Sequence, residues 1–566
     1  MKERYIALMD RVVGAYSRER IQSYIARVEK EGLQEHGFPR LTATLGILIA
    51  HGRQQEWKES FVHMMDLCCE QIPYAVEKAQ KAVGNEFSVK EIVLCLLALE
   101  EKKTYPATKL SYWRGLLGGI KPLSTYTVIA QNTTDRIGNW AAYGAASEQL
   151  RVYAEIGQEN EFIDRQIGSQ LLSFDENGMY RDPNEPMVYD ITTRLQLSTA
   201  VYFGYRGKYY KQLDAALKKG AECSLFMQSV TGEIPYGGRS NQFWHNDAVQ
   251  AAVMEFEASR YHKMGEEKKA ETCKAAAELV LGLLEKNLGR QELYHIKNQY
   301  PQDSFYGCEE YAYFDKYMVT CASFLYLAYC FAADEVKAGS CPARQGSYVF
   351  TTTPFFHKIM LKCGTYFAEF DSNADFHYDA NGLGRIQRYG APSSICLSVP
   401  FAKDPLYRLD QENPVPLCIC WGKIVEGNWH FSSEKGSVYQ LLESQAEEKE
   451  CFVKWKSVLQ GGEEAIETCR VQADGVHLQY QTAGNFYMTL PALFFDGKQE
   501  TRIKTQEKQL FIWYEGYVCR YEISEGRIKD SKIVMANRNG HYKLYLAEGT
   551  DALECRVTIE KVEPLK

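Results

Sequence analysis

The stretch YGGRSNQFWHNDA, residues 236–248, concentrates side chains that bind anions and move protons just before a predicted helix. Gly237 and Gly238 allow a tight turn and a close approach of the backbone to a ligand. Arg239 offers a forked cation that suits a carboxylate. His245 falls in the first turn of the helix, where the positive helix end favours a neutral imidazole that accepts protons. The alternative is a structural histidine that is buried and hydrogen-bonded.

Two earlier connectors carry comparable groups. Asn139 and Trp140 open a predicted helix in GNWAA. One interpretation is that the asparagine only caps the helix. The other is that it belongs to a site in which the indole beside it stacks on a sugar ring. The connector FDENGMYRDPNEPMVYD ends in Tyr189 and Asp190. Arg194 follows Asp190 at a spacing of four, which equally suits a structural ion pair on one helix face.

A fourth connector, LYHIKNQYPQDSFYGCEEYAYFDKY, is rich in tyrosine. We expect some of these tyrosines to pack in the core and others to line a pocket. A cation beside neutral acid and base groups is what removal of a proton next to a carboxylate requires. For a tyrosine to act as the base, its pKa must fall from about 10, and a nearby arginine would help.

The roles follow from this chemistry. We expect Arg239 and Asn139 to bind the carboxylate of an acidic sugar. We expect His245, together with a tyrosine such as Tyr236 or Tyr311, to transfer protons. These five are the predicted catalytic residues.

A larger set is predicted to bind substrate, with Trp140 and Trp244 stacking on the sugar. The set comprises Trp140, Tyr189, Asp190, Arg194, Gln242, Trp244, Asn246, Asp247, Lys297, Tyr306, Glu309 and His377. No cofactor or metal is predicted, and the oligomeric state is not predicted either.

The elements that position these residues change character along the chain. Amphipathic helical segments, with apolar residues at a period near 3.6, follow one another from residue 1 to about 334, beginning with one over 4–28. From 348 onward the period is two, and ADG at 473–475 predicts a hairpin. The prediction is an α+β protein with an (α/α)6-type toroid over 1–336, a linker over 337–347 and an antiparallel β-sandwich-like domain over 348–566.

Composition excludes several classes of function. The chain has 566 residues, a formal net charge of −8 and 45% hydrophobic residues, and no cluster of Lys and Arg stands out, which argues against nucleic-acid binding. No apolar run reaches the roughly 18 residues that span a bilayer, and the charged start does not read as a secretory signal. Seventeen cysteines without a CxxC motif favour reduced thiols. We therefore expect a cytoplasmic protein with no membrane partner.

The chain resembles the heparinase II/III-like and alginate polysaccharide lyases, which have an (α/α) toroid followed by an antiparallel β-domain. GNWAA resembles their Asn-bearing helix start, and GEIPYGGRSNQFWHNDA resembles their Gly- and Tyr-containing loop. SNADFHYDANGLGRI, around His377 and Asp379, resembles their His/Asp segment that reaches back over the cleft. The resemblance implies that an asparagine neutralises a uronate carboxylate while Tyr and His move protons, and that His377 closes the site.

The chain also departs from that group. The β-domain segment of the group often carries two histidines near an aspartate, and some members hold a structural zinc. Here His377 stands without a second histidine nearby, since His357 lies twenty residues earlier, so a zinc site is not supported.

The toroid fold also occurs in glycoside hydrolases that remove glucuronic acid. An inverting hydrolase needs two carboxylates about 6.5–9.5 Å apart, and Asp190, Asp247 and Glu309 would be the candidates. The sequence thus predicts an enzyme that cleaves uronic-acid-containing oligosaccharides, by β-elimination and with exo action on short chains. Exo-acting hydrolysis of the glucuronidase type and a non-catalytic glycan-binding protein remain as alternatives.

Overall fold

The computed structural model describes residues 1–76, 84–132, 137–158 and 160–562. The first part of the chain is helical. Its α-helices within the described residues are α1 (Lys2–Val13), α2 (Arg18–Glu31), α3 (Gly37–Ala50), α4 (Lys58–Gln71), α5 (Asn85–Glu101), α6 (Ala107–Gly118), α7 (Pro122–Thr125), α8 (Thr127–Gln131), α9 (Asn139–Tyr153), α10 (Asn160–Leu171), α11 (Met187–Tyr202), α12 (Tyr210–Met227), α13 (Trp244–Lys263), α14 (Glu267–Leu288) and α15 (Phe314–Phe331).

Six of these helices form a closed inner ring. In the order α3, α5, α9, α11, α13 and α15, each packs against the next, and α15 packs back against α3. They are buried over most of their lengths, whereas α1, α10, α12 and α14 pack on the outside of the ring and bury only one face. This arrangement is an (α/α)6 toroid, and it confirms the predicted fold class.

Local signals explain where individual helices begin. The helix predicted over 4–28 is two helices, because Ser17 caps a new start by accepting a hydrogen bond of 3.2 Å from the backbone N–H of Arg20. α13 begins where the side chain of Asn246 accepts a 2.7 Å bond from the backbone N–H of Phe243. α6 was not predicted, although it buries Leu110, Trp113 and Leu117.

The second part of the chain is antiparallel β-structure. Its strands within the described residues are β1 (Ser347–Thr351), β2 (Lys358–Cys363), β3 (Tyr366–Asp371), β4 (Gly382–Arg388), β5 (Trp421–Val425), β6 (Asn428–Phe431), β7 (Val438–Glu447), β8 (Glu450–Val458), β9 (Glu464–Gln472), β10 (Gly475–Phe495), β11 (Arg502–Gln506), β12 (Gln509–Tyr514), β13 (Tyr517–Ile523), β14 (Ile528–Asn537) and β15 (Gly540–Lys561).

These strands make two sheets that share one core. Strands β1 to β4 form a four-stranded sheet in sequence order, and the others belong to an eleven-stranded sheet in which β15 and β10 are central. β1, β2 and β3 pack against β7 to β10 of the large sheet, with apolar side chains such as Leu361 and Val453 between them. This is the predicted sandwich-like arrangement. The predicted hairpin is also present, since Gly475 pairs with Gln472.

The small sheet packs directly on the helix connectors. Met179 and Met187 lie in the connector before α11 and at its first residue, and they share a small apolar cluster with Phe356, Met360 and Phe367 of the small sheet and the turn before it. The helical and β parts are thus joined by a packed core. α15 ends at Phe331 and β1 begins at Ser347. No helix among the described residues is both long and apolar enough to cross a membrane.

Candidate active site

A cavity of about 350 Å³ lies at one end of the inner ring. All six inner helices begin at this end, and each contributes side chains from its first turns or its cap. The lining residues are His36, Arg40, Phe87, Asn139, Trp140, Tyr143, Val188, Tyr189, Thr192, Arg239, Ser240, His245, Tyr311, Lys316, Tyr317, Thr320 and Phe324. Because helix N-termini carry partial positive charge, their convergence favours an anionic ligand.

The charges of the cavity lining reinforce this preference. Arg40, Arg239 and Lys316 are cationic, and none of the lining residues is aspartate or glutamate in the part of the chain that the structure describes. The chain as a whole has a formal net charge of −8. The positive lining is therefore a local feature of this cavity.

The hydroxyl of Ser240 lies at the centre of a tyrosine cluster. Its Oγ is 3.1 Å from the hydroxyl oxygen of Tyr189 and 3.1 Å from that of Tyr311. The hydroxyl oxygen of Tyr317 is 3.2 Å away. Three phenols thus converge on one oxygen at the wall of the cavity.

The backbone around Ser240 is held in an uncommon conformation. Its φ is +56°, in the left-handed region that residues other than glycine adopt rarely. Its N–H donates to the carboxylate of Glu309, and its carbonyl accepts a 3.0 Å bond from Asn246 Nδ2. Gly238, with φ of +72°, approaches Pro186 so closely that a Cβ would lie 2.7 Å from the Pro186 Cα. Glycine is therefore required at this position.

Arg239 lies over one of the three tyrosines. Its guanidinium carbon is 4.5 Å from the centre of the Tyr189 ring. It also pairs with the carboxylate of Asp182 and donates a 2.6 Å bond to the carbonyl of Pro183. The charge of Arg239 is thus already balanced by a carboxylate outside the cavity lining.

His245 is buried and electrically neutral in this setting. Burial lowers its pKa well below the usual value, and the positive charge of Arg40 adds to the effect. Its Nε2 is 3.3 Å from Asn246 Nδ2, and its Nδ1 has no hydrogen-bond partner among the described residues. Its ring lies 4.8 Å from that of Tyr317, measured between centres. An amide nitrogen only donates, so Nε2 accepts the bond from Asn246 and carries the lone pair, while Nδ1 carries the ring proton. Nε2, held only by the 3.3 Å bond, is therefore the nitrogen that is suited to taking up a proton.

Burial has the opposite consequence for the tyrosines. It raises the pKa of Tyr189, Tyr311 and Tyr317, so all three are protonated phenols. The bond to Ser240 opposes this rise in each case, and at Tyr189 the charge of Arg239 opposes it more strongly. Tyr189 is thus the phenol with the strongest electrostatic support for losing its proton.

Six of the predicted site residues line the cavity together. They are Asn139, Trp140, Tyr189, Arg239, His245 and Tyr311. Tyr311 is 39% exposed and lies at the rim. Their predicted roles are treated under the proposed function.

Tyr236 and Trp244 do not reach the cavity. Tyr236 is fully buried against the small sheet, where Lys358 Nζ lies 3.5 Å from its ring centre. Trp244 lines a second, smaller cavity together with Gln242 and Lys297. Their positions therefore do not support the predicted proton transfer by Tyr236 or sugar stacking by Trp244.

The predicted acidic residues form buried ion pairs away from the cavity. Asp190 pairs with Arg194 at 2.7 Å. Asp247 pairs with Lys297 at 2.9 Å. Glu309 accepts from Arg538 Nη2 at 3.2 Å. These carboxylates are not among the residues that line the cavity, although Glu309 also accepts from the N–H of Ser240 at its wall.

The remaining predicted binding residues also lie elsewhere. Asn246 caps α13 and holds the carbonyl of Ser240. Tyr306 stacks on Tyr300 with ring centres 3.7 Å apart. His377 is 71% exposed and bonds to Asp375, so it does not close the cavity.

Several lining residues were not predicted. They include His36, Arg40, Tyr143, Ser240, Lys316 and Tyr317. Ser240 lies in the stretch 236–248, and Lys316 and Tyr317 are the last two residues of the tyrosine-rich connector. Attention to every polar side chain of these two stretches would have identified these three residues. His36 and Arg40 lie in an apolar helix start and carry no comparable signal.

The described residues do not fit a metal centre. No group of three or more His, Cys, Asp and Glu side chains among them is arranged to hold a metal ion. His357 bonds to Asp371 at 2.5 Å and to Glu185 at 2.9 Å. The Nζ of Lys358 is 2.7 Å from Asp371, so an ammonium already balances this carboxylate.

An (α/α)6 toroid followed by packed antiparallel sheets is the architecture that this chain shares with solved structures. Heparinase III matches with a TM-score of 0.50 and 8% identity over 92% of this chain and 77% of its own. A mutant of the heparan sulfate lyase HepC from Pedobacter heparinus matches with a TM-score of 0.50 and 8% identity over 92% and 76%. A further heparinase III structure has a TM-score of 0.51 and 9% identity over 92% and 78%.

The fold of this chain is therefore that of the heparinase III structures, as the resemblance in sequence implied. At 8–9% identity the likeness concerns the fold. No protein-family model and no curated protein matches the chain.

Proposed function

We propose that this protein is a lyase that cleaves uronic-acid-containing oligosaccharides by β-elimination. One observation carries the proposal: the cavity combines phenols, a neutral imidazole and cations, and none of its described lining residues is a carboxylic acid. A glycosidase of the usual kind needs two carboxyl groups beside the scissile bond. The candidates Asp190, Asp247 and Glu309 are each paired with a cation outside the cavity.

The first requirement of elimination is a more acidic C–H bond. The hydrogen on C5 of a uronate is next to the carboxylate, and its removal builds negative charge on that group. The amide of Asn139, the cations and the six helix starts face this charge. Neutralising the carboxylate in this way lowers the cost of proton removal.

The second requirement is a base and an acid. The neutral imidazole of His245 takes the proton from C5, and the electron pair forms the C4–C5 double bond. The bond from C4 to the leaving oxygen breaks, and a phenol protonates that oxygen. Tyr189 is the preferred donor, because Arg239 stabilises the phenolate that remains. Tyr311 and Tyr317 share the hydroxyl of Ser240 with it and complete the proton network.

The similar solved structures support the same chemistry. Two of them bear the name heparinase III and one the name heparan sulfate lyase. Trp140 lines the cavity. In this proposal its indole packs on a ring of the bound sugar.

Ultraviolet absorbance distinguishes elimination from the alternatives. The protein is incubated with oligosaccharides that contain glucuronate, galacturonate or mannuronate. Elimination leaves a 4,5-unsaturated uronate that absorbs in the ultraviolet, and we expect this absorbance to grow with time. Release of a saturated uronic acid would show hydrolysis, and binding without any product would show a glycan-binding protein; either result would refute the proposal.

Two variants connect the activity to the cavity. His245→Gln and Tyr189→Phe should each lower kcat by about 100- to 10,000-fold, which is the usual contribution of a general acid or base. His63→Gln and Tyr153→Phe are the matched controls, because these residues are largely exposed and lie outside the cavity. Wild-type kcat in both cavity variants would remove the assigned roles.

A further inference from the structure

Lys316 is a cation of the cavity that forms no ion pair with any described residue, although the carboxylate of Glu35 lies near enough to interact with its charge. No carboxylate among the described residues lies within ion-pairing distance of its Nζ. Its closest aromatic neighbours are the rings of Tyr311 and Tyr313, whose centres are 5.8 and 5.9 Å from Nζ. The side chain is partly buried and lines the cavity wall. Its charge is therefore left to interact with whatever the cavity binds.

The position of Lys316 in the fold makes this charge costly. Its backbone N–H bonds to the carbonyl of Tyr313, which places it in the first turn of α15. A cation in a first turn is repelled by the positive end of the helix. Burial lowers the pKa of Lys316, the carboxylate of Glu35 partly opposes this, and the nearby guanidinium of Arg40 lowers the pKa further. The apo protein thus gains little stability from a charge at this point.

The wall around Lys316 carries an excess of positive charge. Arg40 and Lys90 share a single carboxylate, that of Glu91, at 3.6 and 2.9 Å. Arg40 also donates to Thr320 Oγ1 at 2.6 Å and to Nδ1 of His36 at 2.7 Å. These bonds fix the guanidinium behind the cavity wall. Lys316 adds a third cation, and the carboxylate of Glu35 acts on it without forming an ion pair.

Arg239 is a poorer candidate for the same task. It is the arginine that the sequence suggests as the carboxylate ligand, but Asp182 already pairs with it. Its ring contact with Tyr189 also occupies one face of the guanidinium. An incoming carboxylate would have to compete with Asp182 for Arg239, whereas at Lys316 it would meet an unpaired ammonium.

We propose that Lys316 is the residue that recognises the acidic group of the substrate, with Arg40 behind it supplying further positive potential. This inference rests on the proposed function and specifies how the sugar lies in the cavity. The substrate carboxylate lies near the first turn of α15. Arg239 does not bind it and instead favours the loss of the proton from Tyr189. The site selects an anionic sugar over its neutral counterpart through one ammonium.

The test compares an acidic oligosaccharide with its methyl ester. The probe is a glucuronate-containing oligosaccharide, and binding is measured by calorimetry before and after esterification of its carboxyl groups. The wild type should bind the acid at least tenfold more tightly than the ester, the size of a charge-assisted contact. Lys316→Met should lose about 10- to 100-fold in affinity for the acid and bind the two forms alike, while Lys316→Arg keeps the preference.

Lys268→Met is the matched control. Lys268 also occupies a first helical turn, that of α14, but it is exposed and outside the cavity. The control should bind as the wild type does. An equal loss of affinity for the acid and the ester in Lys316→Met would indicate a structural role and overturn the inference. A wild type that binds the acid and the ester equally well would also overturn it.

The two proposals fail in different ways. If the acid binds through Lys316 but no ultraviolet absorbance develops, elimination is refuted, and the role of Lys316 in binding the carboxylate is upheld. If absorbance develops and Lys316→Met keeps the wild-type KM and acid preference, the role of Lys316 in binding the carboxylate is refuted, and elimination is upheld.

Discussion

A hydroxyl group has one proton to donate and two lone pairs to accept, and this limits what Ser240 can do for three tyrosines. Two phenols can donate to its oxygen, but Ser240 itself must donate to the third. The phenol that accepts has its own proton free to point elsewhere. Ser240 is thus a positioning residue that makes the three tyrosines unequal, although their chemistry is the same.

Removing this hydroxyl should change the pH dependence of catalysis. The bond to Ser240 opposes the rise that burial causes in the pKa values of Tyr189, Tyr311 and Tyr317. In Ser240→Ala those pKa values rise further, so the alkaline limb of kcat should move to higher pH and kcat should fall by about tenfold, the equivalent of one hydrogen bond.

The pH profile separates this effect from a loss of structure. Ser240→Gly relieves the strained φ of +56° and also lacks the hydroxyl, so it should show the same shift with better stability. Ser432→Ala, a buried serine of the β part, serves as the control. An unchanged alkaline limb in both variants of Ser240 would show that the tyrosines do not depend on it.

The sequence predicted some of the residues that line the cavity and missed others. Asn139, His245 and Arg239 attract notice because polar residues cluster before a helix. Tyr236 and Trp244 have the same appearance in the sequence, yet both face away from the cavity. The direction of a side chain in a connector depends on packing against distant elements, which no local pattern records.

At the scale of elements, the inner helices share one orientation, and this explains how scattered residues meet. The alternation of inner and outer helices brings every inner helix back to the same end of the ring. The long polar connectors precede inner helices, so their side chains meet at that end. The closing contact between α15 and α3 could not be predicted, because it joins helices more than 260 residues apart along the chain.

The turn before β2 joins the small sheet to the connector that leads into α11. His357 bonds to Asp371 at the end of β3 and to Glu185 in that connector. Burial alone lowers the pKa of His357, but the two carboxylates outweigh it and raise the pKa to about 9. The imidazolium therefore stabilises this junction at neutral pH.

The sign of the pH dependence follows from a raised pKa. The stabilisation is fully present below the usual value of 6.5 and is lost as the pH rises through about 9. His357→Asn, which tolerates the positive φ of 46°, should lower the free energy of unfolding at pH 6 by about 3 kcal/mol. The difference from the wild type should shrink toward pH 10.

Chemical denaturation at several pH values measures this effect. His63→Asn is the control, since His63 also pairs with a glutamate but is about half exposed, and it should change little at any pH. A loss of stability in His357→Asn that does not vary with pH would show that the charge of His357 does not stabilise this junction.

At the scale of the whole molecule, the β part helps to build the cavity. Arg538 lies in the turn between β14 and β15 and is fully buried. Its Nε donates a 2.7 Å bond to the carbonyl of Gly307, and its Nη2 is 3.2 Å from Glu309. Glu309 in turn accepts from the N–H of Ser240. A continuous chain of contacts thus leads from the large sheet to the tyrosine cluster.

Breaking this chain should affect stability and catalysis together. Arg538→Met leaves the carboxylate of Glu309 buried without its cation, which typically costs about 3–5 kcal/mol. It should also lower kcat, because the backbone at Ser240 loses its support. Arg527→Met is the control, since that side chain is 61% exposed. Thermal unfolding and kcat report the two effects, and a stable variant with wild-type kcat would show that the β part does not support the site.

The overall architecture could be predicted from the sequence, because the spacing of apolar residues changes from a helical to a strand period between its two parts. The function depends on a property that the sequence does not display. Acidic residues occur in the same connectors as several predicted site residues, yet folding turns Asp190, Asp247 and Glu309 toward buried cations and leaves the described cavity wall without a carboxylate. Only the packed molecule shows this separation.

The fate of water is the most direct test of the central claim, that this cavity cleaves an acidic sugar without a carboxylate pair. The oligosaccharide is cleaved and the products are weighed by mass spectrometry. Elimination adds no water, so we expect the product masses to sum to that of the substrate. Products that together weigh one water more than the substrate would show that water cleaves the bond and would contradict this account.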